Sequence, residues 1–130
     1  MGYVVASVGA ESGKVPYTTY IVAPDKLEKN RDIYVAFLRA VYKGQQWVDQ
    51  HTAAEVAEAI APQFADSDVS LLTTVVERYK SIGEWKTDPV MTEEDFTKLQ
   101  DVIEDAGQLT ARVDFAAVVD NSIASKVVGK

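Results

Sequence analysis

Pro24 separates two stretches of different hydrophobic period, and no other feature of this chain narrows its fold as much. Ahead of it, Tyr3 to Val8 and Tyr17 to Ala23 are short runs rich in Val, Tyr, Thr and Ile, the composition of strands. Between them Gly9-Ala10-Glu11-Ser12-Gly13-Lys14 reads as a polar turn bounded by glycines. Pro16 is tolerated where a strand begins. After Pro24 the period becomes 3.6 and stays there. The expected fold is therefore α+β and predominantly helical, with short N-terminal strands in residues 1–23 and about four to five helices in residues 24–130.

Each helix carries its own boundary signals. Ile33, Phe37, Ala40, Val41, Gly44, Trp47 and Val48 form one apolar stripe, predicting a helix over about residues 31–50. Thr52-Ala53-Ala54-Glu55 is a capping box, opening a helix that Pro62 should close. Asp66-Ser67-Asp68 can cap a third helix, with Leu71, Leu72, Val75, Val76, Tyr79 and Ile82 as its buried face and Gly83 as terminator. Trp85 to Met91 reads as a loop. Thr92 caps a fourth helix with acids in its first turn, Phe96, Leu99, Val102, Ile103 and Ala106 facing inward, and Gly107 beyond its end. Residues 114–119 and 121–128 read as short helical pieces. The chain has no internal repeat, so one domain over residues 1–130 is expected.

Charge and residue inventory remove several function classes. The formal net charge is −7 with basic residues scattered, which disfavours nucleic acid and anionic membrane surfaces as partners. There is no cysteine, so disulfides, thiol catalysis and thiolate metal sites are excluded. No run approaches the length needed to cross a bilayer. Residues 9–15 superficially resemble a phosphate-binding loop, but only three residues separate the glycines and Val15 follows the lysine, so nucleotide binding is rejected.

His51 is the single histidine, at the expected end of the long helix, where its charge would favour the dipole. It has no second His or Cys to build a metal site. Glu93, Glu94 and Asp95 point in different directions around a helix and already have a role in its first turn. The serines show no nucleophile-elbow pattern. No catalytic residue, metal or cofactor is expected. Most aromatics sit at core-facing spacing, but Tyr17 follows Pro16 on a turn and could line a cleft.

Three stretches, in order, resemble a known family. They are Gly9 to Tyr20, Ala40 to Val48, and Glu77-Arg78-Tyr79-Lys80 running on to Trp85–Met91, Phe96, Leu99-Gln100-Asp101 and Ala106-Gly107, with Val118 to Ser122 near the end. Together they are similar to the C-terminal part of ABC-transporter solute-binding proteins of the sulfonate, nitrate, taurine and thiamine-pyrimidine type. That resemblance implies a fragment of a two-lobed periplasmic-binding-protein fold, with residues 1–23 as crossover strands. It implies an extracytoplasmic parent protein that captures a small solute and delivers it to ABC permease subunits. It also implies that a signal or lipoprotein segment and a first lobe belong upstream of Met1.

By position, the resemblance puts Glu11, Tyr17 and Thr18 nearest the ligand cleft. Cut from neighbouring strands, Tyr3–Val8 and Thr18–Val22 would expose unpaired backbone groups, so self-association through the Tyr3–Val8 strand is expected. The alternative reading is a small self-contained helical protein-interaction domain.

Overall fold

A computed structural model describes residues 5–129. Every regular element among them is helical: α1 (Val8–Ser12), α2 (Pro24–Lys29), α3 (Arg31–Gln50), α4 (Ala53–Ile60), α5 (Val69–Ser81), α6 (Glu93–Asp105), α7 (Phe115–Val118) and α8 (Ser122–Val128), with a 3₁₀ turn at Ala61–Gln63. The chain forms two compact units, one of Met1–Arg39 with Pro89–Lys130 and one of Ala40–Asp88.

The expected strands are absent among the described residues, and with them the expected α+β fragment of a two-lobed fold. Tyr3 and Val4 lie outside the described residues. Val5–Ser7 have no regular structure, and Val8 already belongs to α1. Ser7 explains that switch, because its side chain accepts from the Ala10 amide and caps a helical turn where a polar loop was expected. Residues 13–23 take no helix, turn or bend, and among the described residues no strand lies beside them. β-propensity records a fit to a pleated, half-covered surface, and without a partner strand it produces no sheet. The edge pairing expected for the Tyr3–Val8 strand loses its basis over Val5–Val8.

The helices follow their caps. Pro24 sits in the first turn of α2, where its missing N–H costs nothing. The capping box forms in full: Thr52 Oγ1 accepts from the Glu55 amide at 3.3 Å, and Glu55 Oε2 accepts from the Thr52 amide at 2.8 Å. The Thr52 amide, then the Thr52 hydroxyl donating to Glu55 Oε2 at 2.8 Å, hold the Glu55 carboxyl below its ordinary pKa. Asp68 caps α5 by accepting from Leu71 N–H at 2.7 Å, and Thr92 caps α6 through Asp95 N–H at 3.1 Å. Gly83 and Gly107 follow their helices with φ of 66° and 69°, a left-handed conformation costly for a residue with Cβ.

In the Ala40–Asp88 unit α4 packs on α5, burying Val56 and Ala57 of one and Leu72 and Val76 of the other. Only part of the predicted α5 face is covered. Leu72 and Val76 are buried, whereas Leu71, Val75 and Tyr79 stay on the exposed side. A helix facing one neighbour hides a narrow stripe, so the flanking apolar positions remain in solvent. Gln45 Nε2 and Gln46 Nε2 of α3 donate to Asp88 O and Thr87 O at 3.3 and 2.7 Å, fixing the loop before Pro89.

In the other unit Val35, Ile123 and Ala124 are buried. Phe96 meets Phe115 edge-on at 5.6 Å. Gln100 is a buried polar residue, whose Oε1 accepts from Val113 N–H at 2.7 Å and whose Nε2 donates to Val113 O at 3.1 Å. Both ends of its amide are satisfied, which makes burial affordable. Arg112 donates to Asp101 at 2.7 Å and also to Glu104. Glu104, then Asp101, push its pKa above the ordinary arginine value.

Candidate functional site

The structure brings Tyr17 and Thr18 together on one unpaired segment and sets Glu11 apart on α1. Tyr17 is 96% exposed, and Thr18 and Glu11 are exposed as well. Among the described residues no hydrogen bond or ion pair joins the three. Thr18, Thr19 and Tyr20 line a shallow hollow of about 120 Å³. Tyr20 is 72% exposed, with its ring meeting Phe37 of α3 edge-on at 4.8 Å.

A second hollow of about 330 Å³ lies at the α2–α3 junction, lined by Glu28 to Ile33. Arg31 there donates through Nη2 to Ser122 Oγ at 2.7 Å. Asp120 Oδ1 accepts from Ser122 N–H at 2.8 Å. The Ser122 hydroxyl, then the Ser122 amide, hold the Asp120 carboxyl below its ordinary pKa, with the Arg31 charge adding to the effect and desolvation opposing it. Asn121 pins the same turn: its Oδ1 accepts from Met91 N–H at 3.2 Å and its Nδ2 donates to Met91 O at 2.7 Å.

Sequence reasoning missed Arg31 and its partners. The available signal was Asp120-Asn121-Ser122, a turn-forming triplet ahead of an apolar run. The distant partners Arg31 and Met91 leave no trace in local spacing.

Elsewhere the polar groups serve the fold. His51 Nδ1 donates to Trp47 O at 2.7 Å, and its ring stacks on Trp47 with centroids 4.2 Å apart. Lys80 Nζ donates to Val48 O, Asp49 O and His51 O at 2.6, 3.3 and 2.5 Å, capping the end of α3 from α5. Among the described residues no cluster of His, Cys, Asp and Glu could hold a metal. No described helix is long and apolar enough to cross a membrane.

The chain is similar along all 130 of its residues, at 38% identity, to the "Putative binding protein YtlA" of Bacillus subtilis (strain 168). It spans 39% of that relative's length. No family model matches the chain, and no solved structure matches it.

Proposed function

We propose that this chain works in binding and not in catalysis, as part of an extracytoplasmic solute-binding component of an ABC importer that passes a small solute to permease subunits. The observation that carries this reading is the 38% identity, unbroken over the whole chain, to a protein named as a binding protein. The order of the Gly9–Tyr20, Ala40–Val48 and Glu77–Met91 stretches favours the importer class, with a sulfonate, nitrate, taurine or a pyrimidine as solute. Tyr17, Thr18 and Glu11 suit a contact role because the fold leaves them uncommitted. A lone wall supplies part of a ligand's contacts and excludes no water, so capture of the solute falls to a longer polypeptide containing this chain.

The second reading, a self-contained helical protein-interaction domain, is favoured by the absence of strands among the described residues. The two separate in a chimera in which this chain replaces the matched stretch of the Bacillus relative. On the importer reading the chimera binds a member of the solute panel, and Tyr17→Ala raises its Kd at least about tenfold, as expected for loss of an aromatic contact. An unchanged Kd removes Tyr17 from the site. Solute binding that survives deletion of the whole stretch supports the interaction-domain reading.

A further inference from the structure

The first half of α3 is apolar on more sides than its own unit covers. Ile33 to Leu38 contains no charged residue, and a run of that length goes more than once around a helix. A helix lying on a surface carries one apolar stripe, whereas a helix apolar all round lies between two layers. In the unit of Met1–Arg39 with Pro89–Lys130 the inner layer is present, and Val35 is buried. On the opposite side Ile33 and Phe37, one turn apart, are 65% and 43% exposed. Tyr20 extends that face, its ring edge-on against Phe37 and itself 72% exposed.

The patch is also uncharged. Val15 to Ala23 carries no ionisable acid or base, and on α3 the charges of Arg31, Asp32 and Arg39 lie to either side of the Ile33–Leu38 run. A joined apolar surface rimmed by charge marks a place where something docks.

The amount of open surface agrees. Two separate globules of the sizes of the two units would together expose about 8,100 Å², by the scaling of folded surface with mass. The chain exposes 9735 Å². The surplus of about 1,600 Å² exceeds the roughly 800 Å² that one partner covers in an interface of standard size.

Length and charge decide between the occupants. The Bacillus relative matches this chain from end to end, yet the chain spans only 39% of it. In such a polypeptide the remainder is tethered beside the face, at an effective concentration that a free partner does not reach. A second copy has no tether, and each copy carries a net charge of −7 that opposes the encounter.

We propose that Ile33, Phe37 and Tyr20 form the face on which the remainder of a longer polypeptide, of the kind seen in the relative, docks through an uncharged apolar surface of its own. The proposal rests on the reading of this chain as part of a longer binding protein. It assigns α3 a place between the unit described above and that remainder.

Hydroxyl-radical footprinting tests it, comparing the 130-residue chain with the chimera that joins it to the rest of the Bacillus relative. Passing from their exposure here to that of an interface core, the Ile33, Phe37 and Tyr20 side chains should oxidise at least about fivefold more slowly in the chimera. Ile33→Asp supplies a second readout. In the chain alone the side chain is largely open to solvent, so the melting midpoint should hardly move. In the chimera the same change buries a carboxyl without a partner, and the midpoint should fall by at least about 5 °C.

A chimera whose three side chains oxidise as fast as in the chain alone, or faster, overturns the proposal. So does an Ile33→Asp shift equal in the two proteins. Protection in the chain alone that grows with its concentration makes a second copy the occupant and overturns it too. Solute uptake is read separately: a chimera that binds a solute with this face open sinks the docking surface alone, and one that covers the face but binds none sinks the importer reading alone.

Discussion

Val76→Asp is expected to unfold the Ala40–Asp88 unit at room temperature. Val76 is 1% exposed, on the stripe where α5 meets α4. The substitution removes burial worth about 1.5–3 kcal/mol. It also places a carboxyl where no partner waits, so the total loss exceeds about 4 kcal/mol. A unit of this size has a stability of only a few kcal/mol, at about 0.05–0.15 kcal/mol per residue. The informative comparison is Leu71→Asp, five positions earlier on the same helix, where the side chain is 53% exposed. That change should cost no more than about 1 kcal/mol in a urea titration followed by circular dichroism. Equal losses from the two would contradict the assignment of the buried face.

Lys80→Met carries the second large effect. The methionine keeps most of the aliphatic stem and removes the ammonium that serves three carbonyls at the end of α3. Those oxygens belong to the last turn and the residue after it, where an intrahelical partner is lacking and a positive charge is favoured. Charge-assisted bonds of this kind contribute about 1.5–3 kcal/mol, and because the three share one donor group a loss of about 2–3 kcal/mol is expected for the set. Lys80→Arg should restore part of it, since guanidinium supplies donors in a different geometry. A Lys80→Met midpoint indistinguishable from the parent would show that water caps α3 equally well.

The elements whose signals are local were legible before any coordinates. The Thr52–Glu55 capping box, Asp68, Thr92, Gly83 and Gly107 each act within a few residues, so spacing reveals them, and α4 to α6 fall where those residues put them. Burial was less legible. Leu71 and Leu72 are adjacent and equally apolar, and only the position of α4 decides which is hidden. Val35 lies two positions from both Ile33 and Phe37, on the face of α3 opposite that stripe, yet Val35 is buried while Ile33 is 65% exposed.

Residues 5–23 failed for the complementary reason. Their composition suits strands, but a strand is a property of two segments, and sequence reports one. The candidate site divides the same way. Tyr17 and Thr18 stand together because they are neighbours in sequence. Arg31 reaches Ser122, and Met91 pairs with Asn121, over long stretches of sequence, and no spacing rule reaches that far.

Isothermal titration of sulfonates, nitrate, taurine and pyrimidines against two proteins tests the binding role most directly. One is the 130-residue chain alone; the other is the chimera that joins it to the rest of the Bacillus relative. The predicted result is no detectable heat of binding with the chain alone and saturable binding of one solute class by the chimera. Micromolar binding by the chain alone, or a folded chimera that takes up no member of the panel, would contradict it.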